Sequence, residues 1–225
     1  MALVCGIDLG SFRTPSYVAW MEEGEIVLDS YIASAEQPLP PAPGGWPAVF
    51  TAIDGPQGLP APGQRSRRCD REAKVPTKSL PTTRAELASW PLYRPFLTAG
   101  VELFWSVQEQ ETASVLGLVL LPDAGIVCET YPRYVASRLW PGLKLPSKRR
   151  ASSTYIEVVW SRLQEAGYSC SSEISRPDHV DAMLCALAAE ACLVADGLPE
   201  GTVGEAPVVD LGERVIREGF IVAPG

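Results

Sequence analysis

Leu3-Val4-Cys5-Gly6-Ile7-Asp8-Leu9-Gly10 is an apolar run that stops on a carboxylate, with glycines that let the backbone turn sharply beside it. It reads as a buried strand whose end carries chemistry. The plan recurs in Ala48-Val49-Phe50-Thr51-Ala52-Ile53-Asp54-Gly55-Pro56, and again in Gly125-Ile126-Val127-Cys128-Glu129, just before Tyr131-Pro132. A fourth acid, Asp181, falls in the first turn of a helix that is expected to begin near Asp178. Asp8, Asp54, Glu129 and Asp181 are far apart in the chain, yet each lies where a strand ends or a helix begins. An α/β sheet gathers its functional groups at such places.

Carboxylates brought together from separate elements repel one another and lose solvation, so an empty cluster is costly. A divalent cation reverses that balance. Mg²⁺ and Mn²⁺ prefer hard oxygen ligands, and three or four carboxylates suffice for two such ions, one activating a water and one stabilising a leaving oxygen. The four acids are therefore expected to be metal ligands and catalytic groups. Taken singly, Asp8 and Asp54 are also ordinary turn residues, and Asp181 is also a first-turn acid favoured by the helix dipole. Asp178 fits an N-cap, and His179, the single histidine, fits a helix end close enough to Asp181 to assist a proton transfer.

The 225 residues, 46% of them hydrophobic, are expected to form one domain over 1–225. The net charge of −8 argues against gripping long duplex nucleic acid through phosphate neutralisation alone, so any polyanion must meet a local basic surface. Six cysteines without a C-x-x-C pair read as buried free thiols. No run reaches membrane-spanning length, and the N-terminus has no basic stretch followed by a long apolar one, which points to a cytoplasmic protein without a membrane partner.

Residues 3 to 33 predict a meander of three strands, Leu3 to Asp8, Ser16 to Met21 and Glu25 to Ala33, with a tight turn at Glu22-Glu23-Gly24. Five prolines, among them Pro47, and two glycines make 35–47 a Pro-rich loop. Residues 55 to 83 carry Arg65, Arg67, Arg68, Arg71, Lys74 and Lys78, read equally as a solvated loop or a substrate-contacting one. A variable helical insertion is expected around 76–112, with Thr83 and Glu86 as a capping box. Ser114 to Leu121 and Gly125 to Glu129 predict two strands around Pro122-Asp123-Ala124, as a hairpin or as a strand and a loop. Helices are predicted over 154–166, started by a Thr154/Glu157 capping box, and from Asp178 to about Asp196. The second has an apolar stripe running from Val180 to Val194 beside a stripe of small residues that includes Asp181 and Cys185.

Taken in order, Gly6-Ile7-Asp8, Ala52-Ile53-Asp54-Gly55-Pro56-Gln57-Gly58-Leu59-Pro60, Arg68-Cys69-Asp70-Arg71, Glu129-Thr130-Tyr131-Pro132, Asp178-His179-Val180-Asp181-Ala182 and Glu218-Gly219-Phe220-Ile221-Val222 resemble an uncharacterised family of predicted RNase H-like nucleases, domain of unknown function family 429. The resemblance implies an α/β RNase H-like fold: a five-stranded mixed sheet, its first three strands antiparallel, flanked by helices. It implies metal-holding acids at Asp8, Asp54 and Asp181, and places Glu129 as a fourth ligand or a group orienting one. Two Mg²⁺ or Mn²⁺ ions and a DNA or RNA substrate follow, with Arg68, Lys148 and Arg149 as candidate phosphate contacts. Two other readings compete. Gly6-Ile7-Asp8-Leu9-Gly10-Ser11 looks like the first phosphate loop of sugar kinases and actin-like ATPases, but no second loop follows. A nucleotide- or nucleic-acid-binding module without turnover is the other.

Overall fold

The computed structural model describes residues 2–45, 48–76, 79–122 and 124–225. Pro47, Lys78 and Asp123, which figure in the loop and turn expectations above, lie outside them. The chain forms a mixed sheet flanked by helices. It opens with β1 (Val4–Asp8), β2 (Ser16–Glu22) and β3 (Glu25–Tyr31), paired antiparallel as the sequence predicts. Glu23 and Gly24, with φ of 49° and 81°, make the two-residue turn, whose backbone twist matches that of the flanking strands.

After the Pro-rich loop, β4 (Phe50–Asp54) pairs parallel with β1 in the register Gly6↔Ala52 and Asp8↔Asp54. Three helices follow, α1 (Arg68–Glu72), α2 (Arg84–Ala88) and α3 (Arg94–Gln110). The Thr83 hydroxyl caps α2 by accepting from the Glu86 amide, as expected from the sequence. Next come β5 (Ser114–Val115), β6 (Ile126–Thr130) and α4 (Pro132–Leu139). The chain ends with α5 (Ser152–Glu165), β7 (Ser169–Cys170), α6 (Pro177–Ala195), β8 (Val203–Asp210) and β9 (Val215–Val222).

Among the described residues the sheet has nine strands rather than the five expected, in the order β7-β3-β2-β1-β4-β6-β9-β8, with β5 also on β6. The additions are short or lie at the sheet's far edge. β5 pairs with Ile126 and Val127 of β6, while β9 takes the same edge further on, at Glu129 and Thr130. β5 is parallel to β6, so the residues between them make a crossing and not a hairpin.

Two cores sandwich the sheet. On one face α4, α5 and α6 cover Val4, Phe50, Ala52 and Cys128; on the other, α3 covers Cys5, Ile7, Ile53 and Val127. This division follows from the alternation of side chains along each strand. Helix α6 lies closest, because Gly6 offers no side chain: a Cβ there would come within 2.1 Å of the Ala182 carbonyl oxygen and the Ala186 nitrogen.

Several local expectations need correction. Helix α5 starts at Ser152, so Thr154 sits inside it and caps nothing. Helix α6 starts at Pro177, whose fixed φ suits a first helical residue, and Asp178 is inside the first turn instead of at the N-cap. Val194, assigned to the apolar stripe, is 83% exposed, since the last turn of α6 runs past the sheet.

Candidate metal centre

Asp8 and Asp54 are the last residues of two adjoining parallel strands and register partners. Counting back by twos, Asp8 shares its face with Gly6 and Val4, and Asp54 shares its face with Ala52 and Phe50, which is the α6 side. Asp181, buried in the first two turns of α6, meets them there. One carboxylate oxygen from each of the three lies within 4.8 Å of the others. The close approach of α6 at Gly6 makes this convergence possible.

Asp181 is held from two directions by one segment. The Tyr155 hydroxyl of α5 donates to its Oδ1, and the Lys148 ammonium, from the turn ahead of α5, contacts its Oδ2. Lys148 Nζ also lies 4.0 Å from Asp8 Oδ2 and 3.8 Å from Asp178 Oδ1. Burial pushes the Asp8 carboxyl well above its ordinary range, repulsion from Asp181 and Asp54 adds to this, and Lys148 opposes it. Asp54 is pushed up to about 8, first by burial and then by Asp181. Asp181 is raised by burial, against the pull of Lys148 and Tyr155. With one lysine to answer them in a poorly solvated place, the three carboxyls hold their protons above the ordinary range. Three convergent hard oxygens fit a divalent cation, so the triad could bind a metal ion.

Glu129 is not among the three converging acids, and the sheet register gives the reason. It pairs with Ile53, while Thr130 pairs with Asp54, so the Glu129 side chain points to the opposite face from the triad. There its Oε2 accepts from the Gln57 amide at 2.7 Å and from Arg67 Nη1 at 2.5 Å, and its Oε1 accepts from Arg67 Nη2 at 2.7 Å. Arg67 turns its other donors to Asp70, at 2.7 and 3.0 Å. Arg67, Asp70 and Glu129 are all buried, and together they hold the loop after Asp54 in place. Burial pushes the Glu129 carboxyl up and Arg67 pulls it down.

A family model described as Protein of unknown function (DUF429) matches residues 6–206. The chain belongs to the DUF429 family. No curated protein and no solved structure matches it. In this family member the other basic residues singled out in the sequence divide. Arg68 is exposed and pairs with Glu72 at 2.7 Å, and Arg149 is exposed in the turn that carries Lys148. His179 packs edge-on against Tyr17, with ring centroids 5.2 Å apart, and accepts from the Ser175 amide through Nδ1. Among the described residues, no helix is long and apolar enough to cross a membrane.

Three residues of this region escape sequence reasoning in their actual roles. Arg67 looks like one more member of a basic run, yet it is 1% exposed. Tyr155 looks like core packing. Lys148 looks like a phosphate contact, and its ammonium faces the carboxylates. The one signal in the sequence was Asp70, an acid three residues after Arg67 at helical spacing.

Proposed function

We propose that this protein is a divalent-metal-dependent phosphodiesterase acting on nucleic acid, built on an RNase H-like fold. The observation that carries the reading is the convergence of Asp8, Asp54 and Asp181, from three distant segments, at the ends of two central parallel strands. The fold reading is supported by the strand order β3-β2-β1-β4-β6, antiparallel through β1 and parallel beyond it, with the long helix α6 behind the acids. The substrate reading is supported by the basic segment Lys144, Lys148, Arg149 and Arg150, which gives an acidic protein a local positive surface beside the acids.

Phosphodiester hydrolysis joins a water oxygen to phosphorus, breaks the bond to the leaving oxygen, and delivers a proton from the water to that oxygen. A bound Mg²⁺ or Mn²⁺ ion would acidify a water and neutralise charge on the phosphoryl oxygens. Asp8 and Asp54 would hold the ion, with Asp181 completing the set. Tyr155 orients Asp181. Arg67, through Glu129 and the Gln57 amide, fixes the loop that leaves Asp54 and so fixes the direction of that carboxylate. Arg149, exposed in the turn that carries Lys148, would meet the incoming backbone, while Arg68 is paired with Glu72.

The test is cleavage of labelled single-stranded, duplex, hybrid and branched DNA and RNA with Mg²⁺, Mn²⁺ or chelator. Cleavage that needs the metal and disappears in a folded Asp8→Asn variant is the expected result. Intact substrate throughout, with metal-loaded and folded protein, would overturn the reading in favour of a binding protein without turnover.

A further inference from the structure

We infer that the centre takes a single divalent ion and that the Lys148 ammonium stands in for the second. This rests on the metal-centre reading above and changes its stoichiometry from the two ions expected from the sequence. Lys148 Nζ touches Asp181 Oδ2 and lies 4.0 Å from Asp8 Oδ2, so it stands beside both carboxylates, where a second ion would need room. Both oxygens of Asp181 are thereby engaged, Oδ1 by Tyr155 and Oδ2 by Lys148. Asp8 and Asp54 bond to one another, and among the described residues neither accepts from a hydroxyl or in direct contact from an ammonium as Asp181 does, so their facing oxygens are the ones a cation would take.

Lys148 also brings positive charge to this acidic cluster, lying 3.8 Å from Asp178 Oδ1 as well as against Asp181, so part of what a second ion would neutralise is already answered. Lys148 is no loose surface lysine, since its side chain is 31% exposed and it belongs to the same segment as Tyr155, seven residues on. That segment therefore brings to Asp181 both the charge and the hydroxyl that orient it.

The experiment is a Mn²⁺ titration of the chelator-treated full chain, followed by the electron-spin signal of free Mn²⁺ and by calorimetry. It uses the wild type and the Lys148→Met, Lys148→Arg and Asp8→Asn variants, with folding checked by circular dichroism. The wild type and Lys148→Arg are expected to bind one Mn²⁺ per chain, Lys148→Met two, and Asp8→Asn none at the centre. Two ions in the wild type, lost on Asp8→Asn, would overturn the role of Lys148 and leave the metal centre standing. The same holds if Lys148→Met binds one ion as tightly as the wild type does. Binding by none of the folded proteins would sink the metal centre itself.

Discussion

Arg67 shows how far a residue's setting can depart from its neighbours' in the sequence. It is a buried guanidinium between two buried carboxylates, with four charge-assisted hydrogen bonds in the fork geometry that suits arginine. Removing it strands Asp70 and Glu129 without a counter-charge. Arg67→Met is therefore expected to cost about 3–5 kcal/mol of stability, measured by urea unfolding, and Glu129→Gln added to it should recover part of the loss. A loss below about 1 kcal/mol, the range of a surface pair, would show that the cluster contributes little. The same reasoning separates two acids that look alike in the sequence. Glu129→Gln should lower stability and weaken Mn²⁺ binding by no more than about tenfold, because the carboxylate faces away from the triad and reaches Asp54 only through its loop. Asp8→Asn should do the reverse, abolishing binding while holding or raising the stability of the metal-free protein, since it relieves repulsion among buried acids.

At the scale of elements, the close contact between α6 and β1 controls the site. A methyl group at Gly6 would meet backbone atoms at 2.1 Å, and neither a strand nor a helix backbone can yield locally. Gly6→Ala is expected to destabilise by about 3 kcal/mol or more; a melting curve matching wild type would refute the packing account. If the variant folds, α6 must stand off, and weakened Mn²⁺ binding through a displaced Asp181 is the expected companion. Elements with strong periodicity were legible in the sequence: the opening meander, β4 and α6 lie where apolar spacing puts them. So were Asp8 and Asp54, because strand-end acids near glycine are local features, while Asp181 was legible from its place at the start of α6. What was hidden depended on pairing between distant segments. The face of Glu129 is set by its partner Ile53, and nothing within Gly125 to Glu129 says whether the last residue falls in or out of phase with Asp54. The β8–β9 hairpin was hidden for a different reason. Gly204 and Pro207 interrupt β8 and its pairing slips between Glu205 and Val208, so no clean alternation survives.

For the molecule as a whole, the crowded acids link folding to pH, and through the proposed ion to metal. Asp54 titrates near 3.8 in an unfolded chain and at about 8 in the folded protein, and Asp8 and Asp181 are raised as well. Between those values the folded state binds protons that the unfolded chain has released, so stability falls as pH rises. Without metal, the melting temperature is expected to decline from about pH 4 to about pH 8 through these groups. Mn²⁺ should flatten that slope and raise stability most at the alkaline end, by binding the folded form alone. A metal-free profile that climbs towards pH 8, or one that Mn²⁺ leaves unchanged, would count against the triad as the source.

The way β9 joins the sheet has a further consequence for how the molecule breathes. Because β5 occupies the first part of the β6 edge, the terminal hairpin is attached to β6 at two residue pairs, with a bridge from Leu59 to Arg217 and the Glu218 carboxylate helping to fasten it. A seam so narrow is where a cooperative unit comes loose first. Amide hydrogens of β8 and of the Leu59 segment should exchange with solvent deuterium sooner than those of β1 and β4. When that unit lifts, Glu218 releases Ala61 and Arg68, and water gains a route to the Arg67 cluster while the triad stays closed. The two faces of the sheet are thus expected to keep different time, with the converging acids in the slow half of the protein and the ion pair that steadies their loop in the fast half.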